Sequence, residues 1–340
     1  MRRGEYILKR LGLAVLVIIS VSIITFIIAR VVPSDPARTW VGPRATAEQI
    51  AKATQKLGLD LPLPMQYLRY MGDLLHGDLG VSIQSRQPIL RDLRVYLPAT
   101  MELVFFSMSL AVFIGIPIGV TAGSKRNTWF DHASRVLSIA GTSMPTFWLG
   151  LLLILLFFSK LHLLPIGGRV AREIILYHPV QHITGFHLVD TVLTGNWIAF
   201  KDALIHIILP GVTLALYDIG LTIRMTRSNI IEVLSEKYIL AARAAGLPNR
   251  IVIFRLALRN AIIPTLNLLG LGFVYALTGA IVVEVIFTWP GMGNYVTKAI
   301  LTADFPVIMA VTLFVTVLYV FINLAIDLLQ TAIDPRVALE

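Results

Sequence analysis

Few side chains in this sequence are spaced to do chemistry. There is no cysteine, which excludes disulfides, thiolate metal sites and cysteine nucleophiles. His178 and His182 are four apart, with His187 beyond. On a helix that spacing presents two imidazoles to one zinc or nickel ion. Pro179 argues against a regular helix there, so the three read as loop histidines and no metal is expected. Gly119-Val-Thr-Ala-Gly-Ser-Lys125 has the flavour of a phosphate-binding loop but the wrong spacing for one. Neither H-E-x-x-H nor G-x-S-x-G occurs. What remains is three acids, Glu102, Asp218 and Glu284, at or inside apolar runs. Ionisable groups in a membrane are costly and mark transport pathways, so Asp218 and Glu284 are candidate pathway or gate residues. Asp218 stands six residues before Arg224 and also reads as interfacial. Three scattered acids do not make a proton relay.

The elements carrying these residues are membrane spans. Of 340 residues, 56% are hydrophobic and 14% charged, and the mean hydropathy is +0.77. Soluble domains carry about 25% charged residues, so a purely soluble or disordered chain is excluded. Uncharged runs cover Leu11–Ala29, Leu103–Ser124, Val136–Ser159, Asn260–Val283 and Phe305–Ile326. Each is near the ~20 residues that cross a bilayer. A sixth run, Ala203–Tyr217, is shorter and continues through Asp218 to Ile223. Six spanning helices are expected. The first run follows Arg2, Arg3, Lys9 and Arg10, as a signal peptide would. It is too long for the usual apolar core and lacks a small-x-small cleavage site, so it reads as a retained span. Pro117, Pro145, Pro210 and Pro264 fall inside spans and are expected to kink them.

Charge sets the expected orientation. Lys and Arg total 29 against 20 Asp and Glu, a net +9. The excess gathers before the first span, between spans two and three (Lys125, Arg126, Arg135), and between four and five. The positive-inside rule makes those loops cytoplasmic. The expected layout is a cytoplasmic N-terminus (1–10), a first span (11–30) and an extracytoplasmic segment with short helices (31–98). A permease domain (99–330) follows, with an outer insertion near 160–202 and a cytoplasmic loop near 224–260, then a cytoplasmic C-terminus (331–340). Within 31–98, Thr46-Ala-Glu-Gln49 is spaced as a capping box, and Gly58 suits a C-cap. Met65, Leu68, Met71 and Leu75 have amphipathic spacing between Pro64 and His76, and Gly77 would end that helix. Gly115, Gly119 and Gly123 form a small-residue face for close helix packing, within the chain or against another subunit.

The most informative stretch is Glu236-Lys-Tyr238-Ile-Leu-Ala241-Ala242-Arg243-Ala-Ala245-Gly246-Leu, followed by Arg255, then Arg259-Asn260-Ala-Ile-Ile-Pro264. Tyr238–Ala245 is a strong helix former that Gly246 and Pro248 stop. A short helix with small side chains, displaced from the membrane, is a compact plug for a groove on another protein. This segment resembles the EAA loop of ABC importer permeases, whose coupling helix docks on the ATPase subunit. Pro33-Ser-Asp-Pro36, Leu57-Gly-Leu-Asp-Leu-Pro, Gly77-Asp-Leu-Gly-Val-Ser82, Ser143-Met144-Pro145-Thr-Phe-Trp148, Thr184-Gly-Phe, His206-Ile-Ile-Leu-Pro210, Arg224-Met-Thr-Arg-Ser228 and Phe287-Thr-Trp-Pro-Gly-Met-Gly293 extend the likeness along the chain. It points to the dipeptide/oligopeptide/nickel branch, and the long outer segment most resembles dipeptide-type members. The resemblance implies an all-α type I importer permease of six transmembrane helices with no catalytic site and no cofactor of its own. It implies ATP and Mg2+ on two partner ATPases, a homologous second permease, an extracytoplasmic substrate-binding protein and membrane lipid as partners, and no nucleic acid. It implies residence in a bacterial or archaeal cytoplasmic membrane. It adds Met144 and Pro145 to the pathway or gate residues. Sister cargoes are nickel chelates, glutathione-like peptides and oligosaccharides. An ion-gradient transporter would lack the Ala-rich loop and favour paired membrane acids. An intramembrane enzyme would need a triad or metal motif. Two positions depart from the family: Ser34 where glycine is frequent, and Leu256 where a histidine is common, so that a polar contact to the ATPase is either missing or supplied by Arg255.

Overall fold

The structure is a computed structural model, and it describes residues 3–31, 36–42, 44–56 and 58–333. Pro33, Ser34, Asp35 and Leu57 of the motifs above, with the C-terminal residues from Asp334, lie outside the described residues. Among the described residues every regular element is helical, apart from one isolated bridge between Val81 and Pro88. The chain forms two compact units. One holds the described residues up to Leu97 and Asn294–Ala325; the other holds Pro98–Gly293 and the described residues from Ile326.

In the first unit α1 (Arg3–Val31) contains the 19-residue apolar stretch Gly12–Arg30. At 1.5 Å per residue that stretch is about 28 Å long, close to the bilayer's hydrocarbon thickness. Short helices follow: α2 (Pro36–Val41), α3 (Ala47–Lys56) and α4 (Leu63–Leu75). The capping box forms reciprocally, with Gln49 N–H donating to Thr46 Oγ1 at 3.3 Å and Thr46 N–H to Gln49 Oε1 at 2.9 Å. Gln66 Nε2 donates to the carbonyls of Leu59 and Leu61 and fixes the α3–α4 turn. Tyr67 and Tyr70 of α4 pack on Phe26 of α1, and the Ser22 and Tyr67 hydroxyls share a 2.7 Å hydrogen bond. Phe305 and Met309, at the start of α14 (Phe305–Ile333), which follows the short α13 (Met292–Leu301), complete that cluster with Ala29. Asp304 accepts from Ser82 Oγ at 2.7 Å and from Gln84 N–H at 3.1 Å, tying the loop after α4 to the foot of α14.

The second unit is built around α10 (Trp197–Leu234), a 38-residue helix capped by Asn196. Against it pack α5 (Ile89–Ser124), α6 (Trp129–Ser143), α7 (Thr146–Lys160) and α12 (Asn249–Ile286). The core is aliphatic: Leu103, Val104, Ile207, Ala215, Ile223, Ala280 and Val283 are all buried. Gly115, Gly119 and Gly123 of α5 face α10. A Cβ on Gly119 would lie 2.6 Å from Thr226 Cβ and 3.0 Å from the Ile223 carbonyl. Their close approach is thus made inside the chain, as small-residue stripes allow. α5 carries a π-turn at Ala111–Gly115, just before Pro117. Proline offers no N–H to the preceding turn, and the wider turn absorbs the mismatch.

The expected span Val136–Ser159 is not one helix. α6 and α7 meet at Met144–Pro145 and are bent by 107°. Met144 is extended (φ −79°, ψ 127°) and Pro145 caps α7, so the proline breaks the helix where a kink was expected. The span expected only over Ala203–Ile223 is the middle of the long α10. Two short helices, α8 (Arg172–Tyr177) and α9 (His187–Leu193), separate α7 from α10.

Candidate functional site

The Ala-rich segment is α11 (Lys237–Ala244), between α10 and α12. Glu236 stands at its N-cap with extended backbone but makes no side-chain cap. The C-terminus closes as a Schellman motif: Leu247 N–H donates to the Ala242 carbonyl at 3.2 Å and Gly246 N–H to that of Arg243 at 3.0 Å. Ala245 is the C-cap and Gly246 sits at φ +78°. A Cβ on Gly246 would meet nothing within 4 Å in this chain. Its requirement is the left-handed backbone.

One residue anchors the helix. Ile239 is 0% exposed and packs among Val120, Ile230, Val252, Ala257 and Ala261. A second tie is polar, from Asn260 Nδ2 to the Tyr238 hydroxyl at 2.7 Å. Nearly everything else faces outward. Leu240 is 54% and Phe254 58% exposed. Ala241, Arg243, Ala245, Leu247, Arg255 and Arg259 are exposed, and Ala242 is half-buried. Leu256, at the position where a histidine was expected, packs half-buried against the cluster beneath α11. The surface is an apolar patch rimmed by guanidinium groups, able to seat in an apolar groove with acidic edges.

Just before this loop, Arg227 on α10 grips Asp131 on α6. Its Nε and Nη2 both donate to the carboxylate, the second at 3.0 Å. Asn127 N–H adds a 3.0 Å bond, Arg135 stands 3.5 Å away, and Asp131 is fully buried. The sequence had drawn attention to Arg224–Ser228 but not to Asp131, whose spacing pointed only to Arg135 four residues on.

The candidate pathway residues are scattered through this unit. Asp218 is 5% exposed on α10, facing α12 where a Cβ on Gly272 would lie 2.8 Å from its Oδ1. Glu284 is fully buried on α12 and has a structural partner: Thr100 Oγ1 donates to it at 2.5 Å and accepts from Met292 N–H at 2.8 Å. Trp289 Nε1 donates to the Ala99 carbonyl at 2.9 Å, so the turn after α12 is fastened to the start of the α5 span. Met144 and Pro145 are exposed at the α6–α7 break. The three histidines lie on irregular backbone after α8 and at the start of α9, with only the His182 and His187 rings in contact.

The segment between α7 and α10 holds an arginine whose ion pair with α5 the sequence reading did not find. Arg169 Nη2 donates to Glu102 at 2.5 Å and to the Gly185 carbonyl at 2.8 Å, and Leu188 N–H reaches Glu102 at 2.7 Å. Burial pulls the Arg169 pKa down, against the pull of Glu102. Asp190 accepts from the Ile183, Thr184 and Gly185 amides and the Thr184 hydroxyl. Burial pushes the Asp190 pKa up, but those hydrogen bonds prevail and hold it below the ordinary range. His187 is driven down to about 3, by burial first and then by the Arg169 charge and His182. An ion pair between residues 67 apart in sequence leaves no local signal.

Residues 115–339 match the family described as the binding-protein-dependent transport system inner membrane component, and residues 3–104 match the N-terminal region of such membrane components. The chain is 46% identical over 95% of its length to the "probable D,D-dipeptide transport system permease protein DdpB" of Escherichia coli, covering 94% of that protein. It is 40% identical to the dipeptide transport system permease protein DppB of Alkalihalophilus pseudofirmus, over 98% of both chains. It is 36% identical to the glutathione transport system permease protein GsiC of Salmonella paratyphi A, again over 98% of both. With five to six helices among the described residues long and apolar enough to cross a membrane, and matched along nearly its whole length, the chain belongs to the binding-protein-dependent transport system inner membrane components, the permeases of type I ABC importers.

Proposed function

We propose that this chain forms half of the translocation pathway of an ATP-driven importer of dipeptides. The observation carrying the cargo is the 46% and 40% identity, over nearly full length, to permeases named for D,D-dipeptides and dipeptides. The partners are a homologous second permease, two ATPases that hold ATP and Mg2+, and an extracytoplasmic binding protein. Closure of the ATPases would pull on α11, and a rigid-body shift would switch the pathway between inward- and outward-facing states. The exposed patch on α11, held to the unit by Ile239 and Tyr238, supports that coupling role. Both termini are assigned to the cytoplasm on the bias of Lys and Arg.

The test is uptake. Deletion of the gene should abolish growth on Ala-Ala dipeptides as the sole source of alanine and confer resistance to toxic dipeptide analogues. Comparing L-Ala-L-Ala with D-Ala-D-Ala separates the two dipeptide classes. Retained dipeptide uptake with lost glutathione uptake would move the assignment to the cargo named for the 36% relative. Uptake that survives ATP depletion but collapses with the proton gradient would replace the importer by a secondary transporter.

A further inference from the structure

The first unit contains a cavity of about 160 Å³ that the transport mechanism does not use. Its floor is the adjoining ends of two spans: Ala29 and Arg30 of α1, with Phe305 and Met309 of α14. Trp40 and Tyr70 form its walls, and Asp73 and Asp78 add two carboxylates. Arg30 lies over the Phe26 ring at 5.4 Å, and its Nε is buried with no acceptor. Among the described residues no carboxylate stands within ion-pair distance of it. Buried guanidinium N–H groups are normally satisfied, so an orphan on a residue that lines a cavity marks a place for an anion that the described residues do not supply. Asp73 and Asp78 are exposed; Asp73 is one turn beyond Tyr70 near the end of α4, and Asp78 lies in the loop that follows. Asp78 Oδ1 takes the Gly80 amide at 2.8 Å, which leaves its other oxygen for a donor.

We propose that this cavity binds the headgroup of a zwitterionic, primary-amine phospholipid, such as phosphatidylethanolamine. The order of charges matches the lipid read outward from its acyl chains. The phosphate meets Arg30 at the span end, and the ammonium meets Asp73 and Asp78 farther out. The two spans supply the bilayer, and α4 supplies a flanking surface for acyl chains. Ser22 and Phe26, about 12 and 6 Å along α1 from Arg30 at 1.5 Å per residue, contact Tyr67 and Tyr70. α4 therefore lies beside the span below its end, with Leu63, Met65 and Leu68 more than half exposed. Trp and Tyr walls suit that depth, since both residues favour the membrane interface. Arg86 donates to the Trp40 carbonyl and stacks over its ring, holding that wall in place.

The test uses the purified transporter complex, stripped of lipid in detergent and returned to nanodiscs of dioleoyl phosphatidylethanolamine, phosphatidylglycerol or phosphatidylcholine. Native mass spectrometry counts the lipid retained on this chain. Ethanolamine lipid should be retained about tenfold better than the other two. Arg30→Gln should cut retention of both the ethanolamine and the glycerol lipid about tenfold, whereas Arg30→Lys should keep most of it. The doubly substituted Asp73→Asn, Asp78→Asn protein should lose only the preference for ethanolamine, and its exposed positions leave folding intact if Arg30→Gln does not assemble. Equal retention of all three lipids by the wild type, or unchanged retention in these variants, would overturn the site. So would displacement of the lipid by millimolar Ala-Ala, which would make the cavity a peptide site.

Discussion

Gly246 and Asp131 make opposite demands on a substitution. At Gly246 there is room for any side chain, but the backbone sits at φ +78°, where a Cβ costs about 1 kcal/mol. Gly246→Asp should therefore leave the chain inserted at normal levels. It places a charge on the surface proposed to enter the ATPase, so transport should be lost and co-purification of the ATPases weakened. Gly246→Ala bears the same strain without the charge and should keep most of its uptake. Wild-type uptake and ATPase retention in the Asp variant would remove the loop's coupling role. Glu236 and Arg243, both exposed, should matter less individually. Asp131 is the reverse case: it has no solvent and one dominant partner. Asp131→Ala leaves Arg227 only 19% exposed and uncompensated, a loss of about 3 kcal/mol. A double-mutant cycle with Arg227→Ala in thermal melts should return a coupling above 1 kcal/mol; additivity within error would show that the pair does not join α6 to α10. The turn at Gly246 was readable from its neighbours, because glycine and proline act locally. The Asp131–Arg227 pair was not, because its partners are 96 residues apart.

Among the elements, the seam between α5 and α10 depends on the absence of side chains. Gly119→Leu would force the helices apart against the fixed Ile223 carbonyl, a cost of about 3 kcal/mol or more. The protein should be recovered at low yield, whereas substitution of the exposed Phe113 on the same helix should be neutral. The segment between α7 and α10 carries a pH-sensitive element. His187 is neutral when folded, with its pKa near 3 against an ordinary 6.5. Between those values the unfolded chain binds more protons, so this contribution is present above about pH 6.5 and lost as pH falls toward 3. By pH 5 the loss should be about 1–2 kcal/mol. Hydrogen exchange at Gly185–Leu193 should accelerate on acidification, and His187→Gln should flatten that response. The existence of the spans was legible because apolar length is a sum over many residues. The 107° break was not, since Pro145 signals a disruption but its angle is set by what α6 and α7 pack against. The α5 glycine stripe was visible, while its partner was decided by Thr222, Thr226 and Ile230 of α10.

At the scale of the molecule the open question is which side faces the cytoplasm. The chain has no cysteine, so single cysteines report without background. Ser85→Cys should react with an impermeant thiol reagent from outside, and Asn249→Cys only after the membrane is opened. The reverse pattern would invert the orientation and detach α11 from any cytoplasmic ATPase. In α11 the work of holding and the work of presenting fall on different residues. Ile239 is buried against the spans and the Tyr238 hydroxyl takes a hydrogen bond from Asn260, whereas Leu240, Arg243 and, just beyond the helix, Leu247 and Phe254 are exposed. The outward set is thus free to drift in evolution while the inward set stays fixed. A paralogous motor could be matched to this permease by rewriting a few outward positions, so lineages can trade engines without rebuilding the channel.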